Sequence, residues 1–291
     1  MPELPEVETI VRDLQKKVLS RTFLDIWTDS SKTIKKPRSF GEFGKLIKGR
    51  KIQKIWRRAK NIIFELSGGC SLLIHQKMTG HLLVGIWDLE SGAWKSSEKG
   101  ALEEPVNDYI HLMFWLDNGK MLALSDLRKF AKVELWKTEE LKNSKEFKKI
   151  GPEPLEKSFT FGKFKKILKK KKGKIKQVLM NQEVIAGIGN IYSDEILWEA
   201  KVHPLRDVSK LSDKELGRIY LTTQKILKKA IELRGTSISD FRDTEGRPGF
   251  YGKTRKVYQR KGEKCPRCGD IIKRIKVGGR SAHFCPNCQK L

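Results

Sequence analysis

Four of the five cysteines fall in the last 27 residues, as Cys265-x-x-Cys268 and Cys285-x-x-Cys288 with 16 residues between the pairs. No other feature restricts the fold so tightly. Each short knuckle offers two sulfurs, and two knuckles at this separation match a tetrahedral four-thiolate zinc site. The alternative, two disulfides, is disfavoured in a reducing compartment. Between the knuckles, Gly278-Gly279 separates Ile271 to Val277 from Arg280 to Phe284, a two-residue hairpin signal. One Zn2+ would therefore clamp the base of a β-hairpin. The hairpin carries Lys273, Arg274 and Lys276, and Arg280 follows the tip, where a guanidinium can grip a phosphate bidentately. Such a hairpin suits backbone or minor-groove contact better than base reading. The fifth cysteine, Cys70, stands before Leu72-Leu73-Ile74 and reads as an ordinary buried thiol.

The charge balance agrees with an anionic partner. Lys and Arg number 61 against 35 Asp and Glu, a net charge of +26 on 291 residues. Nucleic acid and an acidic membrane surface both fit that balance, and part of it is a solvated lysine-rich surface. No apolar run reaches the roughly 18 residues of a transmembrane helix. The N-terminus carries acids where a signal peptide has positive charge, so a soluble, intracellular protein of two domains is expected.

Periodicity divides the chain. Val7, Ile10, Val11, Leu14 and Val18 give one apolar helical face. Short apolar and alternating runs follow at Ile52 to Trp56, Asn61 to Leu66, Leu72 to His75, Tyr109 to Leu116, Met121 to Leu124 and Lys132 to Trp136, with a turn at Asp117-Asn118-Gly119. This half reads as a β-sandwich. Residues 85–107, rich in Gly, Ser, Glu and Pro, read as a long exposed loop. Glu139 to Lys157, containing Gly151-Pro152-Glu153-Pro154, reads as a linker. Helices are predicted at Phe161 to Lys170, Ile175 to Asn181, Ile191 to Ala200 and Ser212 to Arg234. The Lys169 to Lys174 run is either a solvated helix end or a phosphate contact. Before the third helix, Gly187-Ile188-Gly189 allows a tight turn, with Asn190 placed as a cap. Helix-start N–H groups and the Asn amide could also hold a phosphate. A Gly/Pro-rich loop, Arg242 to Lys253, leads to the zinc module.

The first residues carry the chemistry. Pro2-Glu3-Leu4-Pro5-Glu6-Val7 would begin with a secondary amine once Met1 is removed, beside one carboxylate and a helical turn from another. A terminal amine titrates near 7.7–8.0, so a neutral, nucleophilic fraction exists around pH 7, and a neighbouring carboxylate can move protons. The same residues also suit a helix start with proline in its first turn.

The Pro2 to Thr9 start, the Gly187-Ile188-Gly189-Asn190-Ile191-Tyr192 turn, Gly151-Pro152-Glu153-Pro154-Leu155 and the closing zinc hairpin together resemble the formamidopyrimidine-DNA glycosylase family. The resemblance spans nearly the whole chain. It implies an α+β protein with an N-terminal β-sandwich with flanking helices (1–138) and a linker (139–157). A helix-two-turn-helix domain (158–240), a lesion-capping loop and connection (241–260) and a zinc finger (261–291) follow, with DNA in the cleft. It further implies a monomeric, cytoplasmic base-excision enzyme that acts on double-stranded DNA at the nucleoid. Such an enzyme removes 8-oxoguanine and formamidopyrimidines and then cuts the abasic strand.

Carried over by position, Pro2 is the nucleophile, Glu3 the proton donor and Lys60, in Arg57-Arg58-Ala59-Lys60-Asn61, a contact to the phosphates beside the lesion. His75 and Met78 match the loop that fills the gap left by a flipped base, and Arg128 and Phe130 match its other two positions. Flipping costs a few kcal/mol, which an apolar wedge and an arginine on the orphaned base partly recover. Lys176, Asn190 and Arg280 correspond to phosphate anchors, and Cys265, Cys268, Cys285 and Cys288 to zinc ligands. Departures from the family pattern sit at Gln76-Lys77, where Leu-Gly is usual, and at Asp126-Leu127-Arg128-Lys129-Phe130-Ala131, where Asp-Pro-Arg-Arg-Phe-Gly is familiar. An endonuclease VIII-like enzyme for oxidised pyrimidines is the alternative within the class. A catalytically silent zinc protein that binds damaged DNA is the alternative outside it.

Overall fold

The apolar stripe of the first helix meets a two-sheet core. The structure, a computed structural model, describes residues 1–238 and 240–291. In chain order the first compact unit holds α1 (Leu4–Lys17), β1 (Phe23–Thr28), β2 (Ile34–Lys36), α2 (Phe40–Ile47), β3 (Ile52–Arg58), β4 (Asn61–Leu66), β5 (Cys70–His75) and β6 (His81–Gly85). It continues with β7 (Trp87–Glu90), β8 (Ala93–Ser96), β9 (Ile110–Leu116), β10 (Met121–Ser125), β11 (Lys132–Lys137), α3 (Thr138–Asn143) and α4 (Lys145–Lys148). The second unit holds α5 (Phe161–Lys169), α6 (Ile175–Met180), α7 (Asn190–Glu199), α8 (Asp213–Glu232), β12 (Lys273–Val277) and β13 (Arg280–Phe284). The first unit is Met1–Lys148 with Leu233–Gly252; the second is Lys149–Glu232 with Lys253–Leu291.

A four-stranded sheet, β1-β9-β10-β6, and a five-stranded sheet, β2-β11-β5-β4-β3, form the sandwich. Every pairing is antiparallel except β2 with β11. Alternation along the strands sets the faces. Ile62, Phe64 and Leu66 of β4 join Leu72 and Ile74 of β5 and Leu112, Phe114 and Leu116 of β9 in one core, which α1 closes with Val7, Ile10, Val11 and Leu14.

The outer faces are apolar too, and so both need cover. On the four-stranded sheet, Leu83, Met113 and Ala123 lie under Trp87, Trp94 and Leu102. The stretch 85–107, expected to be an exposed loop, is therefore the β7–β8 hairpin followed by two short 3-10 turns. Its two tryptophans, Trp87 and Trp94, are 2% and 9% exposed and anchor it. On the five-stranded sheet, Ile63 and Leu73 lie under Leu141, with Phe147 against Trp56. Residues 138–148, mostly expected as linker, are thus α3 and α4 and belong to the sandwich. Cys70 is only half-buried, at the start of β5 beside the core, rather than fully enclosed.

Leu233–Gly252 returns to the first unit, which divides the loop expected over 241–260. Two acids of α1, a heptad apart on one face, hold it. The Thr236 N–H donates to Glu6 Oε1 at 2.7 Å, and Arg234 grips Asp13 at 2.5 Å and Asp243 at 2.6 Å. Val84 N–H adds a bond to the Thr244 carbonyl at 2.9 Å.

In the second unit the Gly-Pro-Glu-Pro stretch is docked. The Gly151 N–H donates to the Gln182 carbonyl at 2.8 Å, and Ala186 N–H to the Pro152 carbonyl at 3.0 Å. No helix among the described residues is long and apolar enough to cross a membrane.

Candidate active site and nucleic-acid interface

α1 begins where the chemistry is expected. Pro2 is buried and Glu3, 2% exposed, is the N-cap residue, with Pro5 in the first turn. While Met1 is attached the Pro2 nitrogen is an amide; the Met1 residue itself is about half exposed, at 48%. Glu6 resolves as a structural clamp. Its Oε2 accepts the Glu3 N–H at 2.8 Å and its Oε1 accepts the Thr236 N–H. Gly235 has to be glycine here, because its φ is +79° and a Cβ would stand 2.9 Å from the Glu6 carboxylate.

Lys60 lies at the tight turn joining β3 to β4, 6% exposed, after Ala59 at φ +52°. Arg57 pins this turn to α1, with Nε on Glu8 Oε2 at 2.9 Å and Nη1 on the Ala59 carbonyl at 3.1 Å. Burial acts to raise the Glu8 carboxyl, but Arg57 and Arg12 hold it below its usual range.

His75 closes β5. Burial first, then the nearby Lys77, Lys60 and Lys132 ammonium groups, push its imidazole down to about 3, so it is neutral at pH 7. Its Nδ1 accepts the Lys77 N–H at 3.0 Å, which leaves Nε2 as the protonated donor.

Met78 and the Arg128–Phe130 loop stand proud: Met78 is 38% exposed, Phe130 50% and Leu127 53%. The Arg128 guanidinium lies 4.5 Å over the Phe130 ring. A clasp with no signature in the sequence joins the two loops. Thr79 Oγ1 donates to Asp126 Oδ1 and accepts the Arg128 N–H at 3.2 Å, while Asp126 Oδ2 takes the Ala131 N–H at 2.7 Å. The departures take on a physical character here. Lys77 and Lys129 both adopt left-handed backbone, φ +55° and +54°. Gln76 is 1% exposed, with both amide atoms unpartnered among the described residues.

In the second unit, Gln182 shapes the glycine turn. Its Nε2 donates to the Ile188 carbonyl at 2.7 Å and its Oε1 accepts the Gly187 N–H at 2.8 Å. Only the glycine pattern of the turn points there in the sequence. Gly189 takes the cap position, and Asn190, expected to be the cap, is the first residue of α7. Its Nδ2 lies 3.5 Å from the Tyr258 hydroxyl. Lys176 differs most from expectation. It is fully buried, donating to Asp194 Oδ1 at 2.5 Å, Ser193 Oγ at 3.2 Å and the Asn190 carbonyl at 3.5 Å. Its charge is neutralised inside the unit and is not presented to a phosphate. Arg280 is exposed at the hairpin, directly after Gly278 and Gly279, whose φ values are +55° and +76°.

The sulfurs of Cys265, Cys268, Cys285 and Cys288 all lie within 4.8 Å of one another. Cys265 to Cys288 is 4.0 Å and Cys268 to Cys285 is 3.4 Å. Tetrahedral ligands about 2.3 Å from Zn2+ are separated by about 3.8 Å, so the set fits one ion. Burial acts to raise the Cys265 thiol, yet the N–H groups of Arg267 and Cys268 and the Trp198 indole, 3.4 Å from its sulfur, hold it below its usual range, while burial pushes Cys285 and Cys288 up. A bound metal would draw all four into the thiolate form. The zinc is structural, clamping the hairpin base.

Fold and site define a class: an α+β protein whose first helix starts at a buried Pro-Glu pair and whose last strands form a four-thiolate zinc hairpin. The formamidopyrimidine-DNA glycosylase N-terminal domain model matches residues 1–133, its H2TH domain model 150–242, and the zinc finger found in FPG and IleRS 262–291. The chain is 40% identical over 291 residues to the formamidopyrimidine-DNA glycosylase of Pelotomaculum thermopropionicum, covering 100% of both. It is also 40% identical to that of Desulforamulus reducens, covering 100% of this chain and 99% of the other. The Lactococcus lactis protein in complex with Fapy-dG-containing DNA is 36% identical with a TM-score of 0.86, over 99% of this chain and 100% of that one. Its complex with abasic-site DNA gives 35% and 0.86 over the same shares. The chain belongs to the formamidopyrimidine-DNA glycosylase family.

Proposed function

We infer that this chain, acting as a monomer, removes 8-oxoguanine and formamidopyrimidines from double-stranded DNA. It then cleaves the abasic site by β,δ-elimination through a Schiff base on Pro2. The observation that carries the reading is the helix start, where a proline and a buried glutamate stand together, clamped by Glu6. With Met1 removed, the Pro2 amine attacks the deoxyribose C1′ as the glycosidic bond breaks, and the base departs with its bonding pair and takes up a proton. Glu3 protonates the ring oxygen, so the sugar opens to an iminium. That iminium is the electron sink for loss of the C2′ proton with the 3′ phosphate, and then of the C4′ proton with the 5′ phosphate.

Lys60 and the Nε2–H of neutral His75 hold phosphates near the reacting sugar. Met78 and Phe130 fill the vacated stack, and Arg128, stacked on Phe130, pairs with the orphaned base. Asn190 and Arg280 grip the backbone, and Lys176, paired with Asp194, braces the Asn190 turn from behind through the Asn190 carbonyl. The site of action is DNA in the cytoplasm, at the nucleoid.

Borohydride added during reaction with an 8-oxoguanine duplex should trap an adduct on Pro2. An adduct on a lysine, or trapping by protein that retains Met1, overturns the mechanism. The Lactococcus lactis relative has also been solved with oxidised-pyrimidine DNA. Parallel assays on 8-oxoguanine and thymine-glycol duplexes should nevertheless favour the purine, and the reverse order would favour the endonuclease VIII-like reading.

A further inference from the structure

The buried Lys176–Asp194 pair lies in a closed ring of side chains. Asp194, on α7 and 1% exposed, accepts the Lys176 ammonium on Oδ1, and on Oδ2 both the backbone N–H of His283 at 2.9 Å and its Nδ1 at 3.0 Å. His283 belongs to β13, three residues beyond Arg280. The His283 ring packs edge-on to Tyr258 at 5.2 Å. The Tyr258 hydroxyl reaches Asn190 Nδ2, and the Asn190 carbonyl in turn accepts from Lys176. The hairpin tip also comes close to α6. There a Cβ on Gly278 would stand 2.0 Å from the amide nitrogen of Gln177, the neighbour of Lys176 on α6.

We propose that Asp194 is a positioning residue that sets Arg280 of the zinc hairpin in register with the Asn190 turn, so that the two grip DNA phosphates as one body. The physical argument is one of burial. A carboxylate with three donors and no solvent cannot release one of them cheaply, because each unmatched group would keep its desolvation penalty. α6, α7 and β13 therefore meet in one arrangement. The zinc module's base is held to α7 through Trp198 on Cys265 and through Arg267 on Trp198 and Glu199, whereas Asp194 holds β13 itself, three residues from Arg280. The proposal rests on the reading that Arg280 and Asn190 hold phosphates.

The test uses the full-length, zinc-loaded protein and an 8-oxoguanine duplex, with zinc content measured for every variant. Asp194→Ala should raise KM roughly tenfold, the scale of one charge-assisted hydrogen bond, and leave kcat at saturating DNA within about twofold. The slope of log K against log salt should fall by about 0.9 for each phosphate that is no longer neutralised. In Arg280→Ala protein, adding Asp194→Ala should cost little more, because the group it positions is already gone.

Additive losses, or a kcat loss at unchanged KM, would overturn the inference while the Arg280 reading stands. An unchanged salt slope in Arg280→Ala alone would overturn the phosphate reading and the inference with it. If Asp194→Ala fails to retain zinc, the isosteric Asp194→Asn carries the same measurements, since its NH2 must face either the Lys176 ammonium or the two His283 donors and so breaks one link at unchanged shape. A normal KM and salt slope in that variant would refute the proposal.

Discussion

Arg234 is the residue on which the returning segment 233–252 depends, and its loss has a cost that can be worked out. Its φ is +58°, a left-handed conformation that disfavours any side chain with a Cβ. Its guanidinium nevertheless spans Asp13 and Asp243, whose side chains are 10% and 3% exposed. Breaking a buried ion pair costs about 3–5 kcal/mol. The Arg234 side chain is 38% exposed, so solvent screening brings that to about 2 kcal/mol. Both carboxylates also keep other donors, Asp243 from the N–H groups of Glu245 and Arg247 and Asp13 from the Thr244 hydroxyl. Arg234→Ala loses the pairs and retains the backbone strain, for a loss of about 2 kcal/mol. Arg234→Gly recovers about 0.5–1 kcal/mol by relaxing the strain, net of the greater freedom of unfolded glycine. Urea unfolding should rank wild type above Gly, and Gly above Ala, with near-constant m values. An alanine variant as stable as wild type would show that the ion pairs contribute nothing. Equal Gly and Ala variants would show that relief of the left-handed backbone does not exceed the greater freedom of unfolded glycine.

Trp94→Ala should destabilise the first unit by about 3 kcal/mol and open residues 85–107 to protease, because Trp94 packs edge-on to Trp27 at 5.3 Å and Trp115 at 5.7 Å; resistance equal to wild type would refute the anchoring role. Burial pushes His81 down to about 4 and His75 to about 3, whereas unfolded histidines titrate near 6.5. The unfolded state then binds more protons, so stability is full above about pH 6.5 and falls as pH drops towards 4, by up to about 1.4 kcal/mol per unit for each residue. His81→Gln should shallow that slope in denaturant titrations at pH 6, 5 and 4.5, and an identical slope would exclude His81 as a source. Thr79→Val breaks the clasp between the Met78 and Arg128–Phe130 loops and should slow single-turnover excision from duplex DNA about tenfold, with Thr79→Ser restoring it. Equal rates for Val and Ser would mean that the hydroxyl does not align the wedge.

Whatever depends on local periodicity is legible in the sequence. The apolar face of α1, β3 to β5, β9 to β11, the zinc hairpin and the Pro-Glu start all appear where their spacing places them. Expectation and structure part where a distant partner decides the outcome. Trp87 and Trp94 sit among Gly, Ser and Glu, and nothing local says that the outer face of β6, β9 and β10 is apolar and needs them. Lys176 reads as a phosphate ligand because a sequence shows a cation without showing its carboxylate 18 positions away. Glu6 reads as an ordinary first-turn acid, while its partner Thr236 lies 230 residues further on. Asn190 and Gly189 exchange the cap role, a one-residue matter that backbone dihedrals settle and composition does not.

The return of residues 233–252 also governs how the molecule can be taken apart. The backbone passes from one unit to the other at 148/149, again at 232/233 and a third time at 252/253. A fragment ending at residue 148 would carry Glu6 and Asp13 with their clamping partners missing, leaving two buried carboxylates to find water or protons instead. A fragment starting at 149 would trail a twenty-residue strip, 233–252, whose own packing had been left behind. Expression of either half alone should yield poorly folded material. A single proteolytic nick at any one crossing should leave the pieces associated, because each cut still leaves the two pieces packed together within at least one unit.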